Sequence, residues 1–550
     1  MLAGNYYSLY HRRFLRHLRS PWTTTTLLLS LILLGPFVAL IIVASQDSAG
    51  LWVHLMETVA PRYALNTAIL MLGVGILSMI YGISTAWVIT RVTFPGAQIF
   101  EWALLLPATV PSYIVAYTYT DLLEYAGPVQ QLLRDVFGWK TVRDYWFPEI
   151  RSMGGAIIVM SCALYPYIYV LARTAFWQTP KSYLELAQIQ RPSSGIVIDI
   201  SLARPAIIGG LALVLMEVLS DFGTVEYFAV ETLTLGIFNI WLGMNNLAAA
   251  AQIAGIAFIF ILSLIMVERA ARKRQRYHDP NKLSISISPR VASTKKSILC
   301  VAVCMFPITL GFIVPVGVLA NFVVRGFSIF DFPALIIALK NSISLSFFAA
   351  IIVVLIAMIM ILTTSYQRKP VLTTLSTLSA LGYAFPGAIL AIGVVSYAGA
   401  IDDVLESVYG FFYEIPFNGF LIGGTGLLLM ACIMRFQAIG HGAIVAGVNR
   451  LSPNIFGASL VLGHSFTQSI LKLSPPLLSK SMMAGGLLVF VDVMKELPMT
   501  LLLRPFNYET LATFVYQYAK DELLEESSLA AIIIICSGLL PIILLNKFQR

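Results

Sequence analysis

Apolar runs near or above 18 residues recur along the whole sequence and limit what it can fold into. Each run is long enough to cross roughly 30 Å of hydrocarbon as a helix. Only helices and closed barrels satisfy every backbone polar group in lipid, and continuous apolar runs favour helices. Charged residues make up only 12% of the chain, whereas a soluble chain carries about 25%. The sequence therefore predicts an all-α integral membrane protein.

The apolar runs predict about twelve transmembrane helices, with no soluble domain of useful size between them. Residues 23–45 follow a basic start, but the run is too long for the apolar core of a signal peptide, so we expect a first span there. The predicted spans are 23–45, 66–90, 98–121, 154–174, 206–226, 246–267, 298–323, 341–363, 371–399, 418–434, 482–503 and 528–546.

The charged segments predict the topology. Residues 1–20 hold four Arg and no acid, and residues 268–296 hold nine Lys or Arg. By contrast, residues 400–417 hold four acids and no base. Because basic loops stay in the cytoplasm, we expect both termini there and an even number of spans, in a bacterial cytoplasmic (inner) membrane. The basic stretch lies between helix bundles, which favours this interpretation over nucleic-acid binding.

Three landmarks repeat at an offset of 275 residues, which is half the chain. They are the openings Asn66-Thr67 and Asn341-Ser342, the prolines Pro111 and Pro386 inside spans, and two pairs of acids. Six spans per half return the chain to the same side, so the halves are expected to be parallel repeats with a pathway between them. The predicted division is a first transmembrane half at 1–267, a cytoplasmic linker at 268–297 and a second half at 298–550.

The paired acids are the sharpest chemical signal. Glu217 and Asp221 are spaced i,i+4, as are Asp492 and Glu496, so each pair is expected to share one helix face. Ionisable groups inside a span cost about 2.5–3.5 kcal/mol on insertion scales and normally face a bundle interior or a watery cavity. Oxygen-rich acid clusters suit hard cations such as ferric iron. The alternative is a structural role, with Lys495 or water as the partner of the outer acids.

The loops before these acidic helices form a second signal. A short helix, a glycine turn and a proline before the next span predict a rigid knob on the cytoplasmic face. The residues that carry this pattern are Glu185, Ala187, Arg204 and Pro205 in the first half, and Gly457, Ala458, Gly463 and Pro476 in the second.

These loops resemble the ATPase-coupling loops of ABC importer permeases. The segments 202–225 and 485–512 resemble the fused ferric-iron ABC permeases more specifically, and the likeness covers nearly the whole chain. The resemblance implies a fold like that of type I ABC importer permeases, in which the knobs would dock a cytoplasmic ABC ATPase, expected as a dimer. It also implies a periplasmic substrate-binding protein as partner. The sequence departs from the family pattern at Arg191 and Gly457, where the family has Gly and Glu.

Several function classes are excluded by missing patterns. No stretch fits the phosphate-cradling pattern of ATPases, so we expect no ATP hydrolysis and no cofactor in this chain, with ATP used by a partner subunit. Its five cysteines lie in apolar segments without metal-site spacing, which predicts small buried residues. We therefore expect a transport subunit rather than an enzyme, embedded in lipid and without a nucleic-acid partner.

The predicted function is the membrane-spanning subunit of an ABC importer for ferric iron. Two alternatives stay open at this point. The same machinery could carry thiamine or phosphonate, or the chain could be a twelve-helix secondary transporter coupled to an ion or proton gradient. The coupling-loop pattern argues against the secondary transporter.

Overall fold

The computed structural model describes residues 20–179, 195–273, 290–327, 329–367, 369–412, 419, 421–452 and 454–549. Its α-helices, in chain order, are α1 (Pro21–Ala44), α2 (Leu51–Thr58), α3 (Ala60–Arg91), α4 (Ala97–Ala103), α5 (Ser112–Leu123), α6 (Pro128–Phe137), α7 (Met153–Trp177), α8 (Gly195–Ser220), α9 (Gly223–Tyr227), α10 (Leu233–Phe238), α11 (Leu247–Lys273), α12 (Thr294–Ile308), α13 (Val314–Gly326), α14 (Phe332–Gln367), α15 (Pro370–Ser379), α16 (Gly387–Phe412), α17 (Thr425–Val448), α18 (Asn454–Val461), α19 (Phe466–Gln468), α20 (Ser474–Met494), α21 (Pro498–Leu503), α22 (Leu511–Lys520) and α23 (Leu524–Gln549).

Shorter elements join some of these helices. The 3-10 turns are Leu106–Thr109, Val142–Asp144 and Ala380–Ala384, and the π-helical turns are Asn239–Gly243, Thr309–Ile313 and Ser469–Leu473. Two short strands, Val92–Thr93 and Arg290–Val291, pair in parallel.

Eleven described helices are long and apolar enough to cross a membrane, or twelve if one bent pair is counted as a single span. The predicted third span, 98–121, is wrong as a single helix, because it is made of α4, a 3-10 turn and α5, with a bend of 88°. The predicted ninth span, 371–399, is likewise split between α15 and α16. Pro111 and Pro386 lie at these two breaks, since proline has no N–H to donate and its ring clashes with the preceding turn.

The order of helices repeats at the offset found in the sequence. Helices α3, α4, α7 and α8 correspond to α14, α15, α17 and α20 when 275 is added to their residue numbers, within a few residues at each end. The repeated asparagines also have the same role. Asn66 Nδ2 donates to the Glu231 carbonyl oxygen at 3.0 Å, and Asn341 Nδ2 donates to that of Glu509 at 2.9 Å. The internal repeat is therefore present in the structure as well as in the sequence.

The chain forms two compact units that each combine residues from both sequence halves. The larger unit contains Asp47–Ile336 and Leu511–Arg550, and the smaller unit contains Met1–Gln46 and Ile337–Thr510. The division into halves 1–267 and 298–550 with a linker thus stays a prediction about the sequence repeat. Each compact unit contains one large segment of one half and a smaller share of the other.

The first long helix of each sequence half packs on residues from the other half. In the smaller unit, Gly35 of α1 faces the ring of Tyr397, and the tilted rings of Phe37 and Phe385 have centroids 4.6 Å apart. In the larger unit, Gly311, in the turn between α12 and α13, faces the carbonyl oxygen of Cys162. Glycine allows these approaches because a Cβ at either position would overlap the opposing group.

Candidate functional site

In the larger unit, Asp221 closes a break between two helices. Helix α8 ends at Ser220, and the Asp221 carboxylate then accepts the backbone N–H of Thr224 at 2.7 Å and the Thr224 hydroxyl at 2.8 Å. The Ser112 hydroxyl, at the start of α5, donates to the same carboxylate. Because the first N–H groups of a helix lack intrahelical partners, Asp221 stabilises the start of α9.

In the smaller unit, Glu496 has the equivalent position and a similar role. Its carboxylate accepts the backbone N–H groups of Met499 at 3.0 Å and Thr500 at 2.9 Å, and the Thr500 hydroxyl at 2.8 Å. Arg435 Nη1 of α17 lies 3.4 Å from Glu496 Oε1, and the two side chains are only 8% and 2% exposed. Glu496 therefore stabilises the start of α21 and forms a buried ion pair.

The expectation that each acid pair shares one face of a continuous helix is wrong. Helices α8 and α20 end at Ser220 and Met494, so Asp221 and Glu496 lie beyond them. The physical reason is local, since each carboxylate binds amides of the next short helix instead of continuing the first one. Lys495 is the suggested partner of the outer acid, and its Nζ lies 2.9 Å from Oδ1 of the inner acid Asp492.

The other two acids lie inside the helices that end at these breaks. Glu217 and Asp492 lie near the ends of α8 and α20, and both are partly exposed. The Asp492 side chain is 17% exposed beside Lys495. Unlike Asp221 and Glu496, neither lies at the start of a following short helix.

The residues predicted for the coupling knobs fall in several environments. Glu185 and Ala187 lie outside the described residues, and so does Arg191. Arg204 and Pro205 lie within α8, with Arg204 exposed, so the prediction that Pro205 precedes the next span is wrong, because the helix begins at Gly195.

The second predicted knob has the expected short helix and glycine turn, but the prediction that its proline precedes the next span is wrong, because Pro476 lies within the span Phe466–Met494. Gly457 and Ala458 are exposed on the short helix α18, and Gly463 follows with φ of +88°, a left-handed conformation that favours glycine. Pro476 is exposed in the first turn of α20. After α18, Leu462 is 79% exposed, and Val461 at its end is 87% exposed. The coupling role of both knobs stays a prediction.

Sequence analysis missed Arg435 because the predicted span 418–434 ended one residue before it. The structure extends α17 from Thr425 to Val448, so this cation lies in the middle of an apolar helix. An ionisable residue beside an apolar run is the signal that could have identified it. Two other features join distant parts of the chain: an ion pair between Arg91 and Asp199, and an acidic cleft.

The acidic cleft lies in the larger unit where α5, α13 and α23 end or begin. It has a volume of about 530 Å³. Five carboxylates and one guanidinium line it: Asp121, Glu124, Glu522, Glu525, Glu526 and Arg325. Sequence analysis could have found part of it, because residues 520–526 are mostly acidic. Its charge is negative, which would attract cations and repel anions.

Among the described residues, no group of three or more His, Cys, Asp or Glu side chains could hold a metal ion. Four of the five cysteines are buried and free, as expected, but the prediction is wrong for Cys536, which is exposed. This cysteine lies on a face of α23 that other described residues do not cover.

No protein-family model matches the chain. It is 23% identical over 542 residues to the Fe(3+)-transport system permease protein FbpB 2 of Haemophilus influenzae, covering 96% of this chain and 99% of that one. It is 24% identical over 478 residues to the ferric transport system permease protein FbpB of Actinobacillus pleuropneumoniae, covering 82% and 65%. The sulfate transport system permease protein CysT of Salmonella typhimurium is 27% identical over 257 residues, or 44% of this chain and 87% of that one.

Proposed function

We propose that this chain, which belongs to the fused permease family of ABC importers, is the membrane subunit of an importer for ferric iron. The observation that carries the proposal is the end-to-end match to a Fe(3+)-transport permease, over 96% of this chain and 99% of the relative. The sulfate permease matches only 44% of this chain. Ferric iron is therefore the cargo that the full duplicated plan favours.

The importer would lie in a bacterial cytoplasmic membrane with both termini inside. A periplasmic binding protein would deliver the ion, and ATP binding in two cytoplasmic ATPase subunits would push on residues 181–205 and 450–476. The two repeats would then rock about a central pathway, as expected for transporters built from repeats. ATP hydrolysis would take place in the separate subunit.

Glu217 and Asp492 are the acids that we assign to the pathway. Asp221 and Glu496 bind the amides at helix starts, whereas Glu217 and Asp492 lie within α8 and α20 and do not have that role. Negative charge beside the path would lower the cost of moving a trivalent cation through a low-dielectric region. The acidic cleft is the second negative feature that would favour a cation over sulfate.

The first experiment measures uptake of radioactive ferric iron in a host that lacks its own ferric importer. The chain would be expressed with its genomic neighbours, with radioactive sulfate as the control cargo. We expect iron uptake that needs both this chain and an active ATPase. Uptake that persists with an inactive ATPase would favour a secondary transporter. Absence of iron uptake, with the protein present in the membrane, would reject iron as cargo and favour thiamine or phosphonate.

The second experiment tests the pathway acids in the same uptake assay. The Glu217→Gln and Asp492→Asn double variant should reduce the initial rate of iron uptake at least tenfold, because two negative charges are lost beside the path. The control is Asp135→Asn, which changes an exposed acid of α6. Unchanged uptake by a double variant that reaches the membrane at the normal level would refute the pathway role.

A further inference from the structure

One guanidinium in the larger unit joins three helices. Arg91 is the last residue of α3, and its Nε and Nη2 donate to the two carboxylate oxygens of Asp199 at 2.9 and 2.7 Å. Nη2 also donates to the backbone carbonyl oxygen of Phe176 at 2.7 Å. Asp199 lies near the start of α8, and Phe176 lies at the end of α7. We call these three residues the Arg91 clamp.

The Arg91 clamp is buried and geometrically specific. The side chains of Arg91 and Asp199 are 12% and 1% exposed. Two parallel hydrogen bonds to a carboxylate fix both the distance and the orientation of a guanidinium. The Phe176 carbonyl is one of the last four of α7 and accepts the backbone N–H of Thr179 at 3.3 Å, so Arg91 adds a charged donor at this helix end. Removing one partner of a buried ion pair costs more than removing one partner of an exposed pair.

The position of the clamp along the chain is its most informative feature. Phe176 and Asp199 lie on either side of residues 180–194, which include Glu185 and Ala187 of the first predicted coupling knob. Arg204 and Pro205 of the same knob follow Asp199 in α8. Both ends of the segment 180–194 are therefore held by the same side chain of α3. A displacement applied between these two ends must act on α3, α7 and α8 together while the clamp is closed.

The smaller unit does not repeat this ion pair. At the equivalent positions it has Tyr366 and Ser474 in place of Arg91 and Asp199. The ring of Tyr366 packs on Phe456 of α18 and Phe466 of α19, with centroids 4.1 and 5.2 Å apart. Tyr366 thus makes aromatic contacts with two residues of the second knob, whereas Arg91 forms a charged pair beside the segment 180–194.

We propose that Arg91 and Asp199 are positioning residues that couple the first knob to the transmembrane helices. This inference rests on the proposed importer function, in which an ATPase pushes on that knob. With the clamp intact, the push moves α3, α7 and α8 as one body. When the clamp is broken, the ATPase still hydrolyses ATP, but less of its motion reaches the helices.

The test uses the complete importer reconstituted in liposomes, with its ATPase and binding protein. The variants are Arg91→Gln and Asp199→Asn. The matched control is Arg62→Gln, which breaks an exposed ion pair with Glu231 at the other end of the same helix. Ferric-iron uptake and ATP hydrolysis are measured together, so that ions transported per ATP can be calculated.

We expect both clamp variants to transport at least tenfold fewer ions per ATP, with ATP hydrolysis reduced less than twofold. Hydrogen exchange should become faster at backbone amides of 170–179 and 195–203. The control should change neither quantity. Arg91→Lys keeps the charge but loses the paired hydrogen bonds to Asp199, so it should give an intermediate number of ions per ATP. This variant replaces Arg91→Gln in the test if Arg91→Gln does not fold.

Normal transport per ATP in folded Arg91→Gln or Arg91→Lys would overturn the proposal, as would an equal loss of transport in the Arg62→Gln control. If the importer without substitutions carries no iron, the proposed cargo is rejected, but the clamp proposal is not. The clamp is then judged by hydrogen exchange and by ATP hydrolysis stimulated by the binding protein. Unchanged exchange beside 180–194 in the clamp variants would refute it.

Discussion

The equivalent carboxylates of Asp221 and Glu496 accept hydrogen bonds from different side chains. The residues of the larger unit can be introduced at the equivalent positions of the smaller unit. Asp221 receives the hydroxyl of Ser112, while Glu496 receives the guanidinium of Arg435. The residues at the equivalent positions are Gly387 for Ser112, and Met160 for Arg435. The larger unit therefore shows that methionine and serine at these two positions are compatible with a carboxylate at the helix break.

Replacing Arg435 alone should be strongly destabilising. Arg435→Met leaves the buried carboxylate of Glu496 without its cation, and loss of one partner of a buried pair costs about 3–5 kcal/mol. We expect the lower part of that range, because Met499 and Thr500 still donate three hydrogen bonds to Glu496. At about 2–4 °C per kcal/mol, the apparent Tm should fall by roughly 6–12 °C.

Replacing Gly387 alone should also destabilise the protein. A Cβ at Gly387 would overlap Nη1 of Arg435 and lie 3.0 Å from Oε1 of Glu496. Gly387→Ser must therefore displace the guanidinium. In the Arg435→Met background that atom is gone, and the new hydroxyl can donate to Glu496. A hydrogen bond to a charged group contributes about 1.5–3 kcal/mol, so the double variant should be more stable than either single variant.

Unfolding can be followed in detergent with a thiol-reactive fluorescent dye, because four of the five free cysteines are buried. The background would carry Cys536→Ser, which removes the exposed thiol. Gly442→Ser is the control, since a Cβ at Gly442 meets no atom within 4 Å. The reasoning is refuted if the Arg435→Met and Gly387→Ser double variant melts no higher than Arg435→Met, or if the two single effects simply add.

Two further predictions concern backbone positions of the smaller unit. A Cβ at Gly382 would overlap the carbonyl oxygen of Met434, so Gly382→Ala should lower the apparent Tm by several degrees, whereas Gly442→Ala should raise stability by about 0.5–1 kcal/mol through helix propensity. Equal effects of the two substitutions would contradict this close approach. Asp402 accepts the backbone N–H of Leu421 at 3.1 Å and that of Ile422 at 3.0 Å. Asp402→Asn keeps one oxygen acceptor but loses the charge and the second oxygen, so it should weaken the bond to Leu421 and speed hydrogen exchange at that amide. Slow exchange in the variant would show that the bond does not hold this turn.

Most of the fold could be predicted from the sequence because spans depend on local composition. Apolar runs located each long helix to within several residues at most ends, and the repeat offset recovered the correspondence between α8 and α20. The errors were at helix ends. The third and ninth spans break at prolines, and the span predicted at 418–434 ends at Val448 instead. Hydropathy averages over a window, so it does not detect a break or an arginine within an otherwise apolar helix.

The candidate site was less predictable because its pairings are tertiary. The acids were identified, but their partners are distant in sequence: Arg435 is 61 residues from Glu496, and Arg91 is 108 residues from Asp199. No periodicity within one span carries that information. The roles of the acids also differ within each i,i+4 pair, since the helix ends between them.

The outer acid of each repeated pair has a structural role at a helix break. Asp221 and Glu496 both bind amides within four residues along the chain, so the backbone break itself requires an acceptor there. Their other partners are supplied by packing and have diverged into a hydroxyl in one unit and a guanidinium in the other. Repetition of these outer acids is therefore explained by helix geometry and is no evidence for cargo binding. Glu217 and Asp492 lie within α8 and α20 rather than at the breaks. The role at helix starts does not account for them, so the uptake experiment is made on these two acids.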